Sequence, residues 1–227
     1  MSNNAEKRKA RVFLVDDHPL VREHLTALIQ RETDLEVCGE AADGPTARSL
    51  IARQEPDLVI LDISLKRSNG LELLKDLKEL RPKLPVLVLS MHDETLYAER
   101  ALRAGAMGYI TKEEATVSVL LAVRKVLAGE VYLSARMAGR IMQKMVRGGA
   151  DQPGSPLELL ADRELEVFQM IGRGQGTRQI AEELRLGIKT VESYKARIKE
   201  KLRLSDGNEL LQHAIHWVQS LPGQGNP

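Results

Sequence analysis

The strongest constraint on the fold is an alternation of short apolar runs with amphipathic helical patterns along the first 130 residues. The runs are predicted strands, and several carry aliphatic residues at consecutive positions, which is typical of strands buried on both faces. They lie at 12–16, 35–41, 57–63, 85–90 and 107–111. Five strand–helix units predict right-handed crossovers and an α/β fold, with a doubly wound, five-stranded parallel sheet between two layers of helices.

The pattern changes after this region. One further helix is predicted at 134–146, and residues 147–156 are rich in Gly and Pro without apolar periodicity, which predicts a flexible linker. Beyond Leu157 the sequence contains helical patterns and no strand candidates. We therefore predict an α/β domain at 10–130, a linker helix and flexible linker at 131–156, and a small all-α domain at 157–222.

Composition bears on the compartment more than on the partner. The chain has 33 basic and 32 acidic residues, so net charge gives no sign of nucleic acid. Cys38 is the single cysteine, which excludes an intrachain disulfide and fits a reducing compartment. The apolar run at 12–15 is too short for a signal-peptide core, and no apolar stretch approaches a membrane-spanning length. We expect a cytoplasmic protein without membrane contact.

Polar side chains stand at the carboxyl ends of four predicted strands, the edge at which open parallel sheets bind ligands. Asp16 and Asp17 end the first strand, Asp62 lies near the end of the third, Ser90 ends the fourth and Lys112 follows the fifth. Three carboxylates on one rim require a cation, and Mg²⁺ is the natural candidate because it prefers oxygen ligands. Asp62 is then a nucleophile toward a phosphoryl group, whose oxygens suit a lysine and a hydroxyl.

Each of these residues has an ordinary structural explanation when it is taken singly. An Asp pair after a strand is often a loop start or a helix cap, Asp62 can cap the next helix, and a lysine in this place is usually solvated. Their joint placement at four strand ends, in one consistent order, favours the functional interpretation.

The second domain concentrates positive charge in one predicted helix and its entry turn. Residues 185–203 contain seven basic residues against Glu192 and Glu200, which is the charge density that phosphate contacts require. Four apolar residues recur at helical spacing and are predicted to face a core: Ile188, Val191, Ile198 and Leu202. Thr177 is a predicted N-cap of the preceding short helix, and the two helices make a helix-turn-helix. On charge alone, a solvated surface helix remains the alternative.

The first domain resembles the receiver domain of two-component response regulators over about residues 10–130. The resemblance rests on the segments LVDDHPLVRE (14–23), LDISLKRSNGLELL (61–74), LSMHDE (89–94) and GAMGYITK (105–112). It implies that Asp62 accepts a phosphoryl group from a sensor histidine kinase and that Ser90 and Lys112 bind this group. It implies a Mg²⁺ site made of Asp16, Asp17, Asp62 and the backbone carbonyl of Ser64.

The same resemblance assigns a switch. Tyr109 matches the aromatic residue that changes its burial when Ser90 moves, although an ordinary half-buried strand aromatic is the alternative. Such a phosphoacceptor is not expected to be an enzyme beyond slow self-dephosphorylation.

Residues 159–204 resemble the LuxR-type DNA-binding domain, so that the whole chain resembles a NarL/FixJ-type response regulator. This implies a transcription factor that binds double-stranded DNA sequence-specifically as a homodimer. The predicted DNA contacts are Lys189, Thr190, Glu192, Ser193, Lys195, Arg197 and Lys199. Leu210 and Trp217 are predicted dimer contacts, with core packing as the alternative. Glu192 stands where relatives often have a basic residue, and it either accepts from a cytosine amino group or pairs with Lys195 or Lys189.

Other classes fit less well. Haloacid-dehalogenase-like phosphatases carry their nucleophile in an Asp-x-Asp motif after the first strand, where this chain has Asp16 and Asp17. A nucleotide-binding oxidoreductase is disfavoured because no G-x-G-x-x-G follows the first strand. A receiver that acts unphosphorylated, through dimerisation or partner binding, remains a third possibility.

Overall fold

The computed structural model describes residues 8–65, 68–91, 94–146 and 155–220. The chain divides into two compact units, at 1–141 and 142–227. Most of the predicted flexible linker lies outside the described residues, and its last two residues begin a short 3₁₀ helix at Pro156–Leu159, with Ser155 as the N-cap. Among the described residues, no helix combines the length and the apolar character needed to span a bilayer.

The first unit is built on a five-stranded parallel sheet in the order β2-β1-β3-β4-β5. The strands are β1 (Ala10–Val15), β2 (Leu35–Ala41), β3 (Leu58–Asp62), β4 (Val86–Ser90) and β5 (Gly108–Thr111). β3 and β4 are buried along their whole length, as consecutive aliphatic residues in central strands require. The predicted α/β fold is confirmed.

Within the described residues up to Val146, four helices connect the successive strands, and two more follow β5. They are α1 (Pro19–Gln30), α2 (Gly44–Gln54), α3 (Gly70–Leu80), α4 (Glu94–Arg103), α5 (Lys112–Leu127) and α6 (Ala135–Val146). One face of the sheet packs against α1 and α5: Val12, Leu58 and Leu87 share a buried cluster with Ile29 and Val123. Residues on β1, β3 and β4 alternate between the two faces.

Two local features fix the chain at the carboxyl edge of this sheet. Asn69 caps α3 by accepting hydrogen bonds from the backbone N–H groups of Leu71 and Glu72, at 2.9 and 3.1 Å. Gly70, the next residue, leaves no room for a side chain, because a Cβ there would lie 2.4 Å from Cα of Ile63 and 2.5 Å from the backbone oxygen of Asp62. The start of α3 is therefore pressed against the end of β3.

The second unit contains helices and no strand among residues 155–220. After the 3₁₀ helix it consists of α7 (Asp162–Gly172), α8 (Thr177–Leu184), α9 (Ile188–Leu202) and α10 (Gly207–Ser220). α7 and α10 approach so closely that a Cβ on Gly172 would lie 2.4 Å from the backbone oxygen of Ala214. The ring of Trp217 packs on Phe168, with centroids 5.8 Å apart.

A partly buried ion pair ties the basic helix to α7. Glu164 is buried, and its Oε2 accepts from Nζ of Lys201 at 2.6 Å and from the backbone N–H of Ala161 at 2.8 Å. One carboxylate therefore caps the start of α7 and anchors the end of α9.

Two details of the second unit differ from the predictions. Gly176, not Thr177, is the N-cap of α8, and the Thr177 hydroxyl turns to α9 instead. Ile188 is 50% exposed, because it is the first residue of α9 and extends past the core that Val191 and Ile198 reach.

Candidate functional site

The acidic rim of the predicted site is present in the first unit. Asp16 follows β1 and Asp62 ends β3, and these neighbouring strands pair in register up to Val15 and Leu61. Both carboxylates are buried, Asp62 with an exposed fraction of 1%. Nζ of Lys112 lies 2.7 Å from Oδ2 of Asp16 and 2.7 Å from Oδ2 of Asp62, so one ammonium bridges the two.

Asp17 and His18 complete the cluster. One ligand atom from each of Asp16, Asp17, His18 and Asp62 lies within 4.8 Å of the others. Neighbouring ligands of an octahedral Mg²⁺ ion are about 3 Å apart and opposite ones about 4 Å, so the spacing and the oxygen donors fit this ion. Three carboxylates against one ammonium also leave two negative charges, which a divalent cation would balance. For Ser64, the backbone N–H donates to Oδ1 of Asp62 at 2.7 Å.

Burial sets the protonation behaviour of the central pair. Burial raises the pKa of Asp62, and Asp16 raises it further, while Lys112 and the Ser64 amide work in the opposite direction. Burial also disfavours the charged form of Lys112, but the attraction of Asp62 and Asp16 together outweighs this and raises its pKa. Lys112 is therefore a permanent cation at neutral pH.

Ser90 and Tyr109 lie beside this rim. Ser90 is buried at the end of β4, one residue beyond Leu89, which pairs in register with Asp62. In the next strand pair Ser90 lies opposite Thr111, and Tyr109 lies opposite Val88. The Tyr109 side chain is fully buried rather than half-buried, and its role as a switch stays a prediction.

Two residues of the site were not predicted as part of it. Nδ1 of His18 lies 3.1 Å from Oδ1 of Asp16 and 3.0 Å from Oδ1 of Asp17. Nη1 of Arg22 donates to the backbone oxygen of Asp16 at 2.6 Å and so holds the end of β1 from α1. Adjacency to the Asp pair was a signal for His18, whereas Arg22, one helical turn further on, had none beyond its position on α1.

The predicted DNA contacts all lie on α9. Lys189, Thr190, Glu192, Ser193 and Arg197 are exposed, and Lys195 and Lys199 are partly buried. The Ser193 hydroxyl donates to the backbone oxygen of Lys189 at 2.9 Å. Glu192 pairs with Lys195, at 3.0 Å, which is one of the two alternatives proposed for it.

The two predicted dimer contacts, Leu210 and Trp217, differ in burial. Leu210 is only 1% exposed, so its side chain belongs to the core of the second unit, which was the alternative given for it, and its role in a dimer stays a prediction. Its neighbour Leu211 is the exposed leucine of α10. Trp217 is partly buried against Phe168, and its role in a dimer stays a prediction.

Comparison with protein families supports the class that this fold and rim define: a receiver domain joined to a helix-turn-helix regulator. Residues 12–124 match the response regulator receiver domain, and residues 158–214 match the bacterial regulatory proteins of the luxR family. The oxygen regulatory protein NreC of Staphylococcus carnosus is 33% identical over 209 residues, covering 90% of this chain and 96% of that protein. NreC of Staphylococcus epidermidis is 34% identical over 210 residues, with the same shares. The chain belongs to the NarL/FixJ-type two-component response regulators.

Solved structures agree with this assignment. A LuxR-family two-component response regulator from an Aurantimonas species is 34% identical, with a TM-score of 0.57 over 61% of this chain and 99% of that one. The response regulator ChrA of a heme-sensing two-component system is 30% identical over 92% of this chain and 98% of that one, with a TM-score of 0.50. RcsB from Salmonella enterica serovar Typhimurium, bound to promoter rprA, shares the fold at 24% identity, with a TM-score of 0.63 over 92% and 99%.

Proposed function

We propose that Asp62 accepts a phosphoryl group from a sensor histidine kinase and that this modification controls the binding of the second unit to double-stranded DNA. The observation that carries the proposal is the bridging of Asp16 and Asp62 by one buried ammonium, that of Lys112, at 2.7 Å from each. A buried carboxylate beside a fixed cation and two further acids is the arrangement that phosphoryl transfer to an aspartate requires.

In this reaction a carboxylate oxygen of Asp62 attacks the phosphorus of a phosphohistidine. The P–N bond breaks, the imidazole leaves, and an acyl phosphate forms on Asp62. Lys112 is placed to transfer its contact from the Asp62 oxygen to a phosphoryl oxygen, and the Ser90 hydroxyl is one strand away. Asp16, Asp17 and Asp62, with the carbonyl of Ser64, would hold Mg²⁺, which supplies charge neutralisation for the transferring oxygens.

The charge and position of α9 support double-stranded DNA as the partner of the second unit. Its exposed basic residues provide the concentrated charge that phosphate contacts need, and α8 and α9 form the helix-turn-helix that places such a helix in the major groove. RcsB, which shares the fold, has been solved on promoter DNA and as two dimers bound to two parallel DNAs. We propose likewise that this protein acts as a homodimer on DNA, and hence in the cytoplasm.

The test combines modification with selection of DNA. The full chain is treated with acetyl phosphate and Mg²⁺, the modified residue is mapped by mass spectrometry, and bound DNA is selected from a random pool with and without treatment. We expect modification at Asp62 that is lost in Asp62→Asn and kept in Asp76→Asn, a matched surface variant on α3.

Two results would contradict the proposal. Equal modification of wild type and Asp62→Asn would exclude Asp62 as the phosphoacceptor. Identical DNA selection with and without treatment, and in Asp62→Ala, would favour a regulator that works unphosphorylated. A phosphatase would show steady turnover of a small phosphoester, which we do not expect because the nucleophile stands on β3 and not after β1.

A further inference from the structure

An acidic side chain sits among the donors of the proposed DNA interface. Oε1 of Glu192 on α9 accepts from the Thr177 hydroxyl at 2.8 Å and from Nζ of Lys195 at 3.0 Å. The two donors also meet each other, with Nζ of Lys195 at 3.1 Å from Oγ1 of Thr177. Thr177 is the first residue of α8, whereas Glu192 and Lys195 lie in the second and third turns of α9, so this cluster connects the start of α8 to the middle of α9.

The donors of this cluster are those that DNA-binding proteins direct at the backbone. A lysine ammonium and a threonine hydroxyl at a helix start commonly contact phosphate oxygens. Here they converge on a single carboxylate oxygen of the same chain. The site is accessible, since the side chain of Glu192 is 53% exposed and that of Lys195 is 27% exposed.

The carboxylate is charged under the conditions in which DNA binds. Hydrogen bonds from Thr177 and Lys195 hold the pKa of Glu192 below its usual range, so the group is ionised at neutral pH. The Thr177 hydroxyl has one hydrogen to donate, so it cannot donate to the carboxylate and to a DNA phosphate at once, and the like charges of these two anions repel each other. One anion must displace the other.

We propose that Thr177 and Lys195 form a site for one DNA backbone phosphate, and that Glu192 is an internal anion that occupies this site in the free protein. The inference rests on the proposed DNA binding and adds a residue that lowers affinity for any sequence. It differs from a base contact, in which Glu192 would favour one sequence over another.

The expected effect of Glu192→Gln on the salt dependence of DNA affinity can be estimated from counterion release. Each phosphate that a protein neutralises steepens the dependence of log affinity on log salt by about 0.9 for duplex DNA. If Glu192→Gln frees Lys195 for one phosphate, the slope steepens by about that amount. The ratio of variant to wild-type affinity should then fall about 3.5-fold between roughly 50 and 200 mM salt, a fourfold change in concentration.

The experiment uses the full chain, treated with acetyl phosphate and Mg²⁺, and fluorescence anisotropy on two duplexes: one selected from a random pool and one of scrambled sequence. Glu192→Gln keeps the shape of the side chain and should tighten binding to both duplexes, most at low salt. Glu200→Gln makes the same change in net charge at an exposed position of the same helix and should change affinity less. Lys195→Gln should cost more affinity in the Glu192→Gln background than in the wild type.

The outcomes separate this inference from the function on which it rests. Unchanged or weaker binding of Glu192→Gln to both duplexes overturns the internal anion. Unchanged binding would mean that the carboxylate does not affect affinity, and weaker binding would mean that it orients Lys195 for DNA. Weaker binding to the selected duplex alone would make Glu192 a base contact and would also overturn it. Wild-type protein that binds neither duplex would remove the proposed function itself, and the inference with it.

Discussion

Replacement of Gly70 by alanine tests how the start of α3 fixes the phosphoacceptor. An added Cβ would lie 2.4 Å from Cα of Ile63, 2.5 Å from the backbone oxygen of Asp62 and 3.0 Å from the backbone carbon of Ile63. All three contacts are main-chain atoms at the end of β3, so no side chain can rotate away. Either α3 must retreat or the Asp62 backbone must move.

The cost can be estimated from packing. Overpacking a close-packed interior costs about 1–3 kcal/mol, and rigid backbone neighbours place Gly70→Ala in the upper part of this range. Alanine recovers at most about 1 kcal/mol through its better helix propensity. A net loss of about 2 kcal/mol in the free energy of unfolding lowers the melting temperature of a unit of this size by roughly 6–10 °C.

Thermal unfolding of the full chain, followed by calorimetry, measures this loss in the transition of the first unit. Gly139→Ala is the matched control, because a Cβ at this exposed position of α6 meets nothing within 4 Å and should leave stability equal or slightly higher. We also expect slower phosphorylation of Gly70→Ala by acetyl phosphate, since Asp62 is displaced. A Gly70→Ala protein that melts and is phosphorylated like the wild type would refute the argument.

Two further predictions concern ion pairs. Glu164→Gln should lower the free energy of unfolding of the second unit by about 1–2 kcal/mol, because Lys201 loses its charged partner. The loss stays this small because the lysine side chain is partly exposed to solvent. Unfolding in urea measures it, and an unchanged midpoint would contradict the anchoring of α9 by Glu164. Lys112→Met should be less stable than wild type by an amount that is constant from neutral pH up to about the ordinary lysine pKa of 10.5 and that shrinks above it. The folded state raises the pKa of Lys112, so the stability that the ion pair contributes is fully present below the ordinary lysine pKa and is lost as the pH rises through the pKa of the folded state. A difference in stability that already vanishes near pH 9 would contradict this prediction.

The rim of the first unit was predictable because a parallel sheet brings the carboxyl ends of its strands to one edge. Strand assignment and position in the chain were enough to place Asp16, Asp62 and Lys112 together. The contacts themselves were not predictable, because they depend on side-chain conformation and on where α5 begins. α5 starts at Lys112, directly after β5, so the ammonium projects from the first turn of a helix and not from a loop.

The second unit shows where a periodic pattern and a resemblance lead to different predictions. Leu210, Ala214 and Val218 are spaced four residues apart and all are buried, which agrees with core packing, the alternative given for Leu210. The dimer role of Leu210 was predicted from the resemblance, which identifies the helix but does not say which way each of its side chains faces. At Ile188 the helical period predicted a buried side chain, but this residue is exposed because it is the first residue of α9 and lies beyond the core. The period does not show at which residue a helix stops contacting the core.

The position of Lys112 also explains how a change of charge at Asp62 can reach the far edge of the sheet. Thr111, the residue before it, caps α5 in a reciprocal pair with Glu114, and in the sheet it lies opposite Ser90. An ammonium that follows a new phosphoryl oxygen therefore pulls on a residue that is held both by the helix start and by β4. Lys112 and Tyr109 lie on either side of Thr111 in one strand–helix junction, so the predicted switch role of Tyr109 would be coupled to the charge at Asp62 through this junction.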